Sequence, residues 1–374
     1  MNRKTAAGLL IAAAALVLVF LIYEKAGVTS LPSPSRSESL LPSGHPEENA
    51  EEVYRFISRK MTGPYGIYTN LQDTPQTEET ATGHEVLSES SSLMMRYAAL
   101  AGQRELFETQ WKLASATFNM KNGFSYRYSP KNGKKFPVNA AVDDLRIIRA
   151  LYEAGEVFKE PHYTDEADKY GERFYNKNVN NGYMYDFYDE NNKITNGFVT
   201  LCYINLGTLQ NLSINRNSSH LLQLNMKNIT DKGYLSDKFP FYETRFNYDT
   251  GKYSSENIHT VESLLTILNL AEVGAARSTS IDYIKRQVAD GTLYGQYTRE
   301  GVPTTDIRST AIYAIAAMIG SEIGDDALYH RSIERMKEFR VVDTSSVLYG
   351  GFGDANSGQA YSFDNLMALL AYRY

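Results

Sequence analysis

Ala81-Thr-Gly-His-Glu-Val-Leu-Ser-Glu-Ser-Ser-Ser-Leu-Met-Met-Arg-Tyr-Ala-Ala-Leu100 runs from a polar entry straight into a helical pattern. Its apolar positions are Leu93, Met94, Tyr97, Ala98 and Leu100. An acid in the first turn of a buried helix stands at the mouth of whatever that helix lines. The positive end of the helix dipole favours the charge of Glu89, and small Ser90, Ser91 and Ser92 leave room beside it for a ligand. The same residues also read as a serine N-cap followed by an acid, a common stabilising device. The rest of the chain has to decide between the two.

Outward from this stretch the pattern is helical, in pairs. Helices are expected at about 47–61, 86–102, 104–118, 140–156, 163–178, 198–212, 217–228, 256–273, 278–290, 305–320, 325–338 and 360–373. Between pairs come Gly/Tyr-rich extended segments, such as Gly123-Phe-Ser-Tyr-Arg-Tyr128 and Gly182-Tyr-Met-Tyr-Asp-Phe-Tyr188. Their first aromatics are Tyr65, Phe124, Tyr183, Tyr234, Tyr294 and Tyr349, at intervals of 59, 59, 51, 60 and 55 residues. A repeat of that period means a closed or stacked array of helix hairpins. The odd-numbered helices carry more charge, as over Asp165 to Lys177. The even-numbered ones are more uniformly apolar, as over Ile307 to Ile319. A helix apolar all round must be buried. The expected fold is therefore all-α: an (α/α)6 barrel with even helices inside, odd helices outside, and aromatic loops or short β-hairpins at the cleft.

Composition narrows the function. There are 28 Tyr against a single Trp, and Tyr-rich clefts suit sugars, because the ring stacks on C–H faces while the hydroxyl bonds to sugar hydroxyls. Net charge is −6 with no basic cluster beyond Lys131 to Lys135, which argues against nucleic acid. The single cysteine, Cys202, lies in an apolar run and reads as core. The histidines are scattered, no metal-ligand spacing appears, and no cofactor is expected.

At the start, Asn2-Arg-Lys4 precedes an uncharged run from Thr5 to Tyr23, long enough to cross a bilayer core. Residues 1–27 read as a signal anchor that leaves the remainder outside the cell, or as a signal peptide if cleaved. Residues 28–46, rich in Ser and Pro, read as a tether. The folded domain is expected over 47–374, as a monomer.

The carboxylates sharpen the expectation. Glu85 and Glu89 open the second helix and Asp143 and Asp144 the fourth. Asp249 and Glu256 precede or open the eighth, Asp306 opens the tenth, and Asp364 lies near the start of the twelfth. Each alone is explained by helix dipoles. Together on one aromatic rim they are what glycoside hydrolysis needs: one carboxyl protonated for the leaving oxygen and one ionised to activate water.

Here the chain resembles glycoside hydrolase family 8, which includes bacterial endoglucanases, chitosanases and xylanases. Ser88-Glu89-Ser90-Ser91-Ser92-Leu93-Met94 resembles that family's proton-donor pattern, so the resemblance gives Glu89 the role of general acid. Ala141-Val142-Asp143-Asp144-Leu145-Arg146-Ile147 resembles its second signature with one Asp displaced, leaving either Asp143 or Asp144 to hold the sugar. Tyr248-Asp249-Thr250 resembles the run that carries the family's general base, without the Arg and Pro that usually follow. The resemblance covers about 47–374. With the N-terminal anchor and the Gly/Tyr loops, it is most similar to the membrane-anchored members encoded with Gram-positive exopolysaccharide synthesis. It implies inverting, endo-acting hydrolysis of an extracellular polysaccharide, with Asp249 as base. Along the aromatic groove, Tyr126, Tyr128, Tyr185 and Tyr248 are expected to contact substrate. Trp111 lies on an outer helix and reads as core. The other reading is a polysaccharide-binding accessory protein that keeps the barrel without turnover.

Overall fold

A computed structural model describes residues 46–374. The anchor expected over 1–27 lies outside them, as does the tether up to residue 45. Pro46, the last residue assigned to the tether, instead opens the first helix, where its missing N–H costs nothing. Among the described residues no helix is long and apolar enough to cross a membrane.

Among the described residues there are twelve α-helices. They are α1 (Pro46–Lys60), α2 (Ser88–Leu100), α3 (Arg104–Phe118), α4 (Ala141–Phe158), α5 (Pro161–Asn178) and α6 (Leu206–Asn211), then α7 (Arg216–Lys232), α8 (Thr260–Ala271), α9 (Ser278–Asp290), α10 (Thr310–Glu322), α11 (Asp326–Lys337) and α12 (Ser362–Ala371). The even helices are inside. Every residue of α10 from Thr310 to Gly320 is buried, whereas its outer partner α11 buries one face only, through Leu328, Tyr329, Ser332, Ile333 and Met336. Neighbouring inner elements pack in order from α2 through α4, α6, α8, α10 and α12, and α12 packs back on α2, so the ring closes. Ser90 of α2 and Ser362 of α12 share a 3.0 Å hydrogen bond at that seam. The chain is the (α/α)6 barrel expected, with sheet confined to short antiparallel ladders in the loops.

Those ladders feed the N-termini of the inner helices. Val86–Leu87 pairs with Arg127–Ser129, which pairs with Lys134–Lys135. Phe198–Thr200 pairs with Arg245–Asn247, which pairs with Lys252–Ser254. Ile258–His259 pairs with Gln296–Tyr297 ahead of α8.

Two expected helices differ most. The helix expected over 198–212 is a strand (Phe198–Thr200), a 3-10 turn (Leu201–Tyr203) and then the short α6. The Asp186 carboxylate takes both the N–H and the hydroxyl of Thr200, at 2.6 and 2.5 Å, which holds that residue extended. Asn205 then caps a fresh start by accepting from the Thr208 N–H. The helix expected from 305 begins at Thr310, capped by the Ser309 hydroxyl. Asp306 therefore lies in the preceding loop, and Ile307, 68% exposed, is surface.

Candidate active site

The N-terminal mouth of the inner ring gathers the polar groups. Ser88 and Glu89 are the first two residues of α2, after Leu87 in extended conformation. The Ser88 hydroxyl does not cap its own helix. It donates to the neighbouring helix, to Oδ2 of Asp143 at 2.9 Å. Arg146, one turn along α4, reaches back and donates through Nη1 to Asp143 Oδ1 at 3.2 Å and to Glu89 Oε2 at 3.3 Å. One guanidinium thus joins the expected proton donor to a buried carboxyl. Glu89 keeps 28% of its side chain open to the mouth, whereas Asp143 keeps 6%.

Asp143 is pushed up to about 7. Burial is the largest cause and the Glu89 charge adds to it, while Arg146 and the Ser88 hydroxyl pull the other way. Near neutrality the Asp143 carboxyl therefore takes up and releases a proton.

Asp144 points elsewhere. It accepts from the Phe124 N–H at 3.1 Å and from Asn139 Nδ2 at 3.0 Å, which ties the loop ahead of α4 to the helix start. Burial raises its pKa to about 6, against the nearby Arg173 and these bonds. Consecutive residues on a helix diverge by about 100°, so only one of the pair can face the mouth, and that one is Asp143.

Three further groups complete the centre. The half-buried Tyr203 hydroxyl is raised, first by burial and then by Cys202, Asp186, Asp143 and Glu89, so it stands among these groups. Asp186 is buried, bound to Thr200, and raised to about 6 chiefly by burial, with Glu262 adding to the effect. Glu262 lies in the first turn of α8, half-buried, and accepts from the Thr244 hydroxyl at 3.2 Å. In a ring of six, α8 stands opposite α2, so Glu262 and Glu89 lie in the first turns of helices on opposite sides of the mouth.

The other acids expected at the rim have other places. Glu85 is buried and grips Arg127 through both oxygens, at 2.8 and 2.7 Å. Arg127 also donates to the carbonyls of Thr77 and Glu78, so the pair pins the loop ahead of α2. Asp364 accepts from the Ala311 N–H at the start of α10. Glu256 and Asp306 lie in loops. Asp249 occupies the exposed turn of the hairpin joining Arg245–Asn247 to Lys252–Ser254, beside Gly197.

The tyrosines flank the mouth in two groups. Tyr128 packs on Tyr65 with ring centres 4.9 Å apart, and Tyr126 packs on Phe136 at 5.7 Å. Tyr185 and Tyr183 both pack on Tyr248, at 4.9 and 5.4 Å. Tyr248 donates its hydroxyl to the Met184 carbonyl, so its ring is fixed rather than free. Trp111 packs against Phe124 and Tyr170 and donates to Glu166 between outer helices, away from the mouth.

Reading the sequence missed Asp186, Tyr203 and Glu262. Glu262 had a signal, an acid at a helix entry, hidden because the helix was expected four residues early. Tyr203 and Asp186 had none, since both depend on the break between strand and helix at 198–206.

No family model matches the chain. The solved structure of a novel alpha-amylase from Clostridium perfringens is 33% identical, with a TM-score of 0.81, over 89% of this chain and 99% of that one. The Bacillus subtilis (strain 168) protein named "Putative lipoprotein YdaJ" is 27% identical over 347 residues, 88% of this chain and 91% of its own. Endoglucanase Cel10 of Klebsiella pneumoniae, a family 8 glycosyl hydrolase, shares the fold at a TM-score of 0.60 and 14% identity, over 86% of this chain and 97% of that one. The chain belongs to the family of the Clostridium perfringens enzyme and is a glycosidase built on the barrel of glycoside hydrolase family 8.

Proposed function

We propose that the protein hydrolyses an extracellular polysaccharide with inversion at the anomeric carbon, Glu89 acting as general acid. The observation that carries this is Glu89 itself: partly open to the mouth and tied through Arg146 to the buried Asp143, whose carboxyl is pushed up to about 7. Glu89 protonates the glycosidic oxygen while Asp143 and Arg146 hold the sugar beside it. A carboxylate on the opposite side takes a proton from the attacking water. Glu262 suits that role, because it stands across the mouth and shares the surroundings of Asp186. Asp249, at the tip of the adjoining hairpin, is the second reading, supported by its resemblance to the family's base.

The likeness to an alpha-amylase makes an α-glucan the first substrate to offer, with purified exopolysaccharide as the second. The tyrosine groups on both flanks suit a polymer crossing the mouth, hence internal cleavage. The likeness to a protein named a lipoprotein supports a place at the outer membrane surface of the cell.

The test is product release by residues 46–374 with anomeric NMR. Glu89→Gln and Glu262→Gln should each lose on the order of 10²–10⁴ in rate, and Asp249→Asn should lose little. A dead Asp249→Asn with an active Glu262→Gln moves the base to the hairpin. Product of retained configuration overturns inversion, and binding without release by the wild type favours an accessory role.

A further inference from the structure

Ahead of α8, the Ile258–His259 and Gln296–Tyr297 ladder presents two different faces. Ile258 and Tyr297 pair on the inner face, and both are buried. His259 and Gln296 pair on the outer face, at the mouth, where His259 is exposed and Gln296 half-exposed.

The polar groups there are ordered. Thr304 donates its hydroxyl to Gln296 Oε1 at 2.8 Å, which leaves the Gln296 amide nitrogen turned toward His259 Nε2, 3.3 Å away. An amide nitrogen only donates, so His259 Nε2 must accept, and the ring proton of the neutral imidazole then resides on Nδ1. The ring therefore presents an N–H donor to solvent, and the second Gln296 amide N–H stands beside it. Neither donor has a protein acceptor among the described residues. Ile307, 68% exposed, lies alongside, its carbonyl accepting from the Gly295 N–H. Two adjacent fixed donors beside an exposed aliphatic side chain match the neighbouring hydroxyls and C–H face of a neutral sugar.

We propose that His259 and Gln296 form a rim subsite for an uncharged sugar unit of the polymer, outside the reacting centre and on the side of the mouth opposite Glu89. The proposal rests on the glycan-cleaving reading above. The two residues act as positioning residues, since they hold the chain without touching the scissile bond. The subsite takes vicinal hydroxyls of a neutral hexose and disfavours units with bulky substituents there.

Maltoheptaose is the probe, binding being measured by calorimetry on Glu89→Gln and turnover on the active protein. His259→Ala and Gln296→Ala should each weaken maltoheptaose binding and raise KM about tenfold, with kcat nearly unchanged, the loss expected of one hydrogen bond to a bound ligand. His259→Asn, whose amide can place a donor near the Nδ1 position, should recover part of the loss. Both sites are on the surface, so melting temperatures should stay at the parental value, which separates this role from a folding defect. If the Glu89→Gln protein binds no maltoheptaose, the glucan reading falls and this subsite with it. If it binds and the rim variants bind equally well, or if kcat falls while KM holds, the subsite alone is overturned.

Discussion

Asp143 and Asp144 are adjacent in sequence and alike in composition, yet they do different work. Asp143 joins Ser88 and Arg146 at the mouth, while Asp144 ties down a loop. The sequence left that choice even, because a displaced motif says nothing about which of two neighbouring side chains turns inward. The two acids also share a pH signature. Burial lifts Asp143 to about 7, well above the ordinary range of an aspartate. A raised carboxyl contributes stability fully only below its unfolded pKa and loses it as pH rises through the folded one. Asp143 therefore begins to cost stability above about pH 4, and the cost is complete above about pH 7. Asp143→Asn should remove that cost, so the variant should be more stable than the parent above pH 7 and should lose the advantage near pH 4, while activity falls with the broken Arg146 contact. Chemical denaturation across that range checks it. A stability difference that does not change with pH would mean that Asp143 is ionised throughout.

At the scale of elements, the helices were readable because burial repeats every turn along the outer ones, while inner ones such as α10 are apolar all round. What could not be read was where a long expected helix breaks. Thr200 is held extended by Asp186, a residue 14 positions earlier, and no local pattern in 198–212 contains that partner. Hairpin closure imposes a further demand. A methyl group on Gly320 of α10 would meet the backbone N of Tyr329 in α11 at 2.6 Å, so the two helices cross where only glycine fits. Gly320→Ala should thus destabilise the protein by about 1–3 kcal/mol despite alanine's better helix propensity. A denaturation midpoint equal to or above the parent's would show that α11 moves aside at no cost.

Across the whole molecule, the barrel lumen carries charge as well as apolar packing. Below the mouth, Arg96 of α2 binds Glu153 of α4 at 2.9 Å. Arg149 binds the same Glu153 and also Glu272, just past α8, at 2.9 and 2.6 Å. The Tyr374 hydroxyl accepts from Arg96 and donates to Glu272. The arginines hold Glu153 and Glu272 below the usual carboxylate range despite their burial. Stability from lowered acids is present above their unfolded pKa and lost as pH falls, so this network should weaken under acid. Removing one member leaves the others buried and unbalanced. Glu153→Ala should cost about 3–5 kcal/mol by urea unfolding near neutrality. A cost below about 1 kcal/mol would indicate that water replaces the lost carboxylate.

By itself the sequence determined the architecture: six aromatic-to-aromatic units, alternating amphipathic and apolar helices, and hence a closed double ring with its loops at one mouth. Those are local properties, written in periodicity and in turn residues, so they survive without knowledge of contacts. Glu89 was legible for the same reason, as an acid at the entry of a buried helix. Only the tertiary structure decided the company Glu89 keeps. It joined Ser88 to Asp143, set Arg146 between two acids, brought Tyr203, Asp186 and Glu262 into the centre, gave Glu85 to Arg127, and left Asp249 on an exposed hairpin turn. Each of these links residues on different helices or loops. Closure of the ring sets their distances, and no stretch of chain records them.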